Sequence, residues 1–511
     1  MSDANDLDRR DFLKLASAGA ALSLAQSPPQ GQAFGIEKPK QRRNSPDHVV
    51  VIGAGAWGGW TAWHLRKAGV RVTLIDQYGP ANSRSTSGDE TRGIRSSYGD
   101  RADDVAPLWT RWARTAIQRW REFDAEYGPE FKTRFFVQTG DVICRTEEEP
   151  FVKRTRELWT AQGVKHEVLT GDEVRKRWPV MNNDDTTIAI YEPDAGVARA
   201  RASTLAVAAL AQKAGVVLKL GRVSPGKIVN NKMDGVVLDS GEVVRGDSYV
   251  FACGPWLRKL FPTLMTNRMR VPMGYVCYFA TPPGDHRFTY PNLPSYNFPG
   301  VTGWAALPTD FRGFRVRGAI AAPAPPGTAP AAGANAPGAA RQGGAGATQG
   351  TGTAAGTAQT GAARQGGAAA TAPAAQGQAA GANAAPKPAT PATPAPPPDP
   401  TLTDPDLSSR WMNQERIDGS RRFVARRFPL LTDAPLSETR ACHYESSVNR
   451  NFIVDHLPGT DNTWIAGVGQ AEGFKFSIVA GEYVAMRVLG VEGDPALVKA
   501  FAMPTEEYET T

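Results

Sequence analysis

Apolar residues fall in a few short blocks, and their periods separate strands from helices. His48-Val49-Val50-Val51-Ile52 is a continuous β-branched run, the pattern of a strand buried on both faces. Gly53-Ala54-Gly55-Ala56-Trp57-Gly58 follows at once. Thr61–Ala68 then carries Ala62, Leu65 and Ala68 on one helical face, and Gly69 ends it. Val70–Ile75 predicts a second strand, closed by Asp76. Two later apolar runs also end in small residues: Ser248–Phe251 before Ala252-Cys253-Gly254, and Thr463–Ala466 before Gly467-Val468-Gly469. An apolar helix is expected from about Ser477 to Leu489.

The first block is a whole strand–turn–helix–strand unit, which makes its glycines specific. Gly53 allows the tight turn out of the strand, Gly55 lets backbone approach a pyrophosphate, and Gly58 lets the helix pack close to the sheet. The helix N-terminus offers free N–H groups to phosphates. Asp76 stands where an acid accepts from an adenosine ribose, which favours FAD or NAD over a 2′-phosphorylated nucleotide. Gly254 and Gly473 close further glycine turns on distant segments. Three glycine-ended strands so widely spread fit a flavin domain assembled from distant pieces.

Composition trims the chain before it adds chemistry. Residues 321–400 hold 14 Gly and 14 Pro and contain no aromatic residue and no Leu, Ile, Val or Met. Such a segment has nothing to bury against its ordering entropy, so it is expected to stay disordered. The octet Gly-Ala-Ala-Arg-Gln-Gly-Gly-Ala occurs there twice, which marks low-complexity expansion. In residues 1–45, Arg9-Arg10 precede Phe12-Leu13-Lys14 and a mild apolar run to Ala25, resembling a twin-arginine export signal and implying a periplasmic or extracellular protein. These two segments each carry a net +2, so only +3 of the formal +7 belongs to the rest, and nothing argues for a nucleic-acid surface. No apolar run is long enough to span a bilayer. The four cysteines are far apart and no histidine sits at zinc spacing, so no metal site is expected.

Gly88-Asp89-Glu90-Thr91-Arg92-Gly93-Ile94-Arg95-Ser96-Ser97-Tyr98-Gly99 resembles the monomeric sarcosine oxidase and N-methyltryptophan oxidase family, within the D-amino-acid-oxidase-like flavoproteins. Thr439-Arg440-Ala441-Cys442-His443-Tyr444-Glu445 and Glu472-Gly473-Phe474-Lys475-Phe476-Ser477 are two further marks of it. The resemblance implies oxidation of an amine beside a carboxylate by hydride transfer to flavin, with O₂ reduced to H₂O₂ and the imine hydrolysed. Cys442 matches the cysteine that carries the flavin, so FAD is expected to be covalent. Arg95 and Lys475 match the carboxylate-binding pair, and Arg92 matches the arginine near the flavin ring. A monomer is implied.

Three positions depart from the family. Glu472 replaces a histidine, which sets a carboxylate in the pocket and favours a cationic group. Gly313-Phe314-Arg315 stands where the family has its oxygen-activating lysine; Arg315 keeps the charge but cannot act as an amine. Trp304-Ala305-Ala306-Leu307-Pro308 replaces an aromatic-rich strand.

The expected fold is α/β with two interleaved domains. A doubly wound FAD-binding domain would come from residues 46–125, 192–262 and 430–495. A substrate domain with a mixed or antiparallel sheet would come from 126–191, 263–320 and 401–429. The expected activity is an exported FAD-dependent amine oxidoreductase acting on a small-molecule amine or amino acid. Alternatives are a flavin dehydrogenase passing electrons to a quinone or carrier, and a non-catalytic flavin-fold binding protein.

Overall fold

The computed structural model describes residues 45–307, 312–321 and 400–509. The export signal and the Ala/Gly/Pro-rich block lie, apart from their end residues, outside the described residues. So does the whole of Ala345–Asp399, the second of two units; the sheets and the site all belong to the first.

A six-stranded sheet runs in the order Ile453–His456, Thr463–Gly467, Ser248–Phe251, His48–Ile52, Arg71–Asp76, Val217–Leu220. Every pairing is parallel except the antiparallel edge strand Ile453–His456. Three of the central strands are the β-branched and apolar runs of the sequence, and Val49, Val50 and Val51 are wholly buried. Helices Ala56–Lys67, Ala200–Lys213 and Gly473–Val488 contribute buried faces to a core shared with Trp109, Trp120 and Phe123.

Two helices begin earlier than their apolar spacing suggests. The first starts at Ala56 rather than Thr61, because every residue from Ala56 to Leu65 is buried and no polar face marks its start. The last starts at Gly473 rather than Ser477, which puts Lys475 in its first turn.

An eight-stranded mixed sheet is built from the strands Leu436–His443, Met273–Phe279, Phe314–Arg317, Val301–Trp304, Ser295–Phe298, Asp141–Arg145, Ile188–Glu192 and Glu167–Thr170, in that order. Its core gathers Tyr296, Phe314, Phe423 and Phe428. Leu436–His443 belongs to this sheet, although residues from 430 onward were expected with the cofactor-binding pieces. Met273–Phe279 pairs with it from His443 to Leu436, so its ladder is satisfied there. The chain therefore changes sheets between Cys442 and Ile453. A third, three-stranded sheet of Thr91–Ile94, Gly196–Arg199 and Phe136–Val137 carries Arg92 and delivers Arg95 just past a strand end.

Candidate functional site

A cavity of about 580 Å³ opens at the carboxyl ends of the parallel strands. Gly53, Gly55, Asp76, Arg92, Gly254 and Gly473 all line it. The three fingerprint glycines divide their work as the spacing implies. Gly53 has φ +100°, and a side chain there would run into the Ala252 carbonyl. A side chain on Gly58, which lies behind the cavity wall, would strike the Gly53 carbonyl. At Gly55 a Cβ would meet nothing closer than Ser87 Oγ at 3.8 Å, so this backbone faces open space. Asp76 accepts from the backbone N–H of Ala54 (2.7 Å), Tyr78 (2.8 Å) and Gly79 (2.7 Å). Burial pushes its carboxyl up, and those three donors pull the other way. The open approach at Gly55, the free helix N-terminus and the acid at the strand end together fit a dinucleotide such as FAD.

Glu445 also lines the cavity and was not singled out from sequence. It is buried, and it accepts from Thr86 Oγ1 (3.0 Å) and Gly469 N (3.1 Å). One signal was available: it stands three residues after Cys442. Arg92 donates to Asp89 Oδ2 (2.6 Å) and to the carbonyls of Thr91 (2.7 Å) and Thr86 (2.6 Å). Its Nη2 also lies 3.9 Å from Cys442 Sγ, although Cys442 itself does not line the cavity. Asp89 is wholly enclosed, taking a hydrogen bond from Tyr278 Oη (3.0 Å) and standing 3.6 Å from Arg315 Nη2. Burial alone would raise its carboxyl, but Arg92 and Arg315 outweigh that and hold it far below the usual range. Arg315 lies 4.0 Å over the Trp304 ring, and its Nε and Nη1 have no hydrogen-bond partner. Arg92 and Arg315 thus share one buried counter-ion.

A second set of charges collects beside Gly473. Lys475 Nζ pairs with Glu472. Burial lowers the Lys475 ammonium, while Lys475 and Arg95 hold the Glu472 carboxyl down against its own burial. Glu472 is therefore engaged by a cation, not turned free into the site as its replacement of a histidine suggested. Arg95 is half-buried and makes no hydrogen bond or ion pair among the described residues. Glu472, Asp141 and Glu192 act on it electrostatically. Asp141 and Glu192 face each other across adjacent strands. Glu192 accepts from Ser96 N (2.9 Å) and Ser96 Oγ (2.5 Å), which fixes the backbone next to Arg95, and burial pushes its carboxyl up to about 7. Asp141 Oδ1 accepts from Ser295 Oγ (2.8 Å), and its Oδ2 has no hydrogen-bond partner. Arg317 shares a strand face with Arg315 and lies near Tyr444, Cys442 and Glu472. Asp141 and Arg317 carry no local motif, whereas Glu192 falls in Tyr191-Glu192-Pro193-Asp194-Ala195-Gly196-Val197, a stretch that also fits the family resemblance.

Among the described residues no group of His, Cys, Asp and Glu is placed to hold a metal ion, and no helix is long and apolar enough to cross a membrane.

Residues 48–342 match the family described as FAD dependent oxidoreductase (DAO). The chain is 30% identical to monomeric sarcosine oxidase of Bacillus sp. (strain B-0618) over 219 residues, 42% of this chain and 53% of that protein. The matched stretch thus spans about half the length of that relative. N-methyl-L-tryptophan oxidase of Citrobacter koseri is 23% identical over 438 residues, covering 86% of this chain and 93% of the relative. Fructosamine oxidase (Amadoriase II) from Aspergillus fumigatus superposes with a TM-score of 0.63 at 18% identity, covering 89% of each chain. That likeness carries the fold.

Proposed function

Because the chain belongs to the DAO family of FAD-dependent oxidoreductases, we propose that it is an exported amine oxidase of the sarcosine-oxidase type. It takes an N-substituted or other amino acid to the imine and passes the electrons to O₂, forming H₂O₂. The observation that carries this reading is Arg95, a guanidinium that makes no hydrogen bond or ion pair among the described residues, within electrostatic reach of the buried Lys475, whose own charge is paired with Glu472. A planar fork beside a point charge suits one carboxylate.

When bound, FAD supplies the hydride acceptor and the route to oxygen. The chain's own groups place the substrate. Arg95 grips the carboxylate, and Glu192 holds the Ser96 backbone that sets its direction. Trp120 Nε1 donates to the Lys475 carbonyl (2.9 Å) and fixes the first turn that presents the ammonium. Arg315 contributes fixed positive charge on the flavin-facing side. Cys442 is the proposed covalent tether, and Arg9-Arg10 support export.

An anaerobic screen of sarcosine, N-methyltryptophan, pipecolate and a cationic amino acid tests the reaction: at least one must bleach the flavin. Acid precipitation tests the tether: flavin stays with the pellet if Cys442 carries it. Arg9→Lys with Arg10→Lys should abolish export. One observation favours a second reading, a dehydrogenase: the Arg315 charge is already paired with Asp89. Peroxide release during turnover separates the two.

A further inference from the structure

The chain re-enters the described fold at Pro400 and reaches its next helix at Gln414. Between them, Asp404–Arg410 lies against the dinucleotide cavity. Asp406 lines that cavity, and its carboxylate joins two separate walls of it. Oδ1 accepts from Tyr78 Oη (2.7 Å), on the segment after the second strand, and from Trp256 Nε1 (2.8 Å), on the segment after Ser248–Phe251. Oδ2 accepts from Lys259 Nζ (2.6 Å). Tyr78, Trp256 and Lys259 are all cavity-lining, and Tyr78 follows Asp76, so this is the adenosine end.

The segment itself is held in shape. Asp404 Oδ1 accepts from Asp406 N (2.7 Å) and Leu407 N (3.1 Å). Arg84 donates to the Asp406 carbonyl (2.7 Å), and Arg410 donates to the carbonyls of Pro405 and Arg84 (2.9 Å each). At the far side Ser408 Oγ and His443 Nε2 are 2.7 Å apart. His443 follows Cys442, and its own carbonyl accepts from Thr86 Oγ1 (2.8 Å). One short segment therefore bonds to two walls of the cavity and to the residue after Cys442.

We infer that Asp406 is a cofactor-positioning residue: it latches Tyr78, Trp256 and Lys259 together over the adenosine end, so FAD is held by this strap as well as by the glycine turn. The strap has to release before FAD enters or leaves. The inference rests on the family's cofactor and not on the substrate proposed above.

The test uses the full chain with Cys442→Ser, so that retention is non-covalent. Adding Asp406→Ala should speed FAD release, followed by flavin fluorescence, about tenfold, since three hydrogen bonds to a carboxylate are lost while Lys259 keeps its pair with Asp404. Asp406→Asn keeps an acceptor for Tyr78 and Trp256 and should fall between. The melting temperature of the FAD-free protein should barely move. In hydrogen exchange, FAD should protect the amides of 404–408 in the Cys442→Ser protein but not when Asp406→Ala is added. Unchanged release overturns the inference. So does an equal fall in melting temperature with and without FAD, because Asp406 would then support the fold and not the cofactor.

Discussion

At the glycine turn of the site, the contacts are made by backbone. Gly53 turns the chain, Gly55 leaves open space, and Gly58 lets a helix touch the Gly53 carbonyl. At the charged end they are made by side chains: Arg95, Asp141, Glu192 and the pair Glu472 and Lys475 arrive from four separate stretches and are buried or half-buried. The first end is fixed by sterics over a few residues, so it fails abruptly. The second is fixed by a charge balance assembled by the whole fold, so it is tunable, and each member depends on the others.

The largest expected effect breaks the steric end. Gly58→Val places branched carbons where even a Cβ strikes backbone. Little soluble protein should form, and what forms should carry no flavin by its absorbance ratio; a normal flavin content would show that the helix does not pack against the Gly53 carbonyl. Next comes a break at the charged end. Lys475→Met strands Glu472 in the interior, with only more distant arginines in range. The cost should be about 3–5 kcal/mol in urea unfolding. Adding Glu472→Gln should recover most of it, because the uncompensated charge is gone. If the double variant is as unstable as the single one, the two charges do not balance each other.

The same contrast explains what was legible beforehand. Gly53, Gly55, Gly58 and Asp76 were readable because all four fall at set places in one contiguous strand–turn–helix–strand unit. Arg92, Arg95 and Lys475 were readable as site residues only through resemblance: the i,i+3 spacing suggests the pairs with Asp89 and Glu472, but not that Arg315 shares Asp89 or that Arg95 acts on Glu472. Asp141 and Glu192 look like ordinary strand residues, and only the register Asp141↔Glu192 brings the two acids together. Leu436–His443 was placed with the cofactor-binding pieces for a related reason: even an eight-residue strand does not announce which sheet will complete its ladder. The early start at Gly473 was hidden because Gly473-Phe474 reads as a turn until Trp57 Nε1 is seen donating to the Gly473 carbonyl (3.0 Å).

The charged end should also respond to pH, whereas the glycine turn should not. The Glu192 carboxyl is pushed up to about 7 by burial, from its ordinary value of 4.5. The folded state therefore holds its proton more tightly than the unfolded state. Stability from this group is full below about pH 4.5 and is lost as pH rises through 7. Glu192→Gln mimics the protonated form and removes that loss. Relative to the unsubstituted protein, it should gain up to about 3 kcal/mol between pH 5 and pH 8. Melting curves across that range check it, and the difference between the two proteins cancels the buried histidines, which titrate the other way. Parallel curves at all pH values would remove Glu192 from the balance.

The smallest effect bears on how the two ends meet. Arg315 keeps a positive charge, but it is diffuse and shared with Asp89 at 3.6 Å. Arg315→Lys shortens the side chain and gives up the stack on Trp304, 4.0 Å away. It also removes the two guanidinium nitrogens that have no hydrogen-bond partner. The gain and loss are of similar size, so stability should change by about 1 kcal/mol or less. The ammonium is a compact point charge, so reoxidation of reduced enzyme by O₂ should quicken severalfold in stopped-flow traces, with anaerobic flavin reduction unchanged. Arg315→Met should slow the same step. If neither variant alters reoxidation, Arg315 serves only to balance Asp89, and the oxygen step draws its charge from elsewhere in the site.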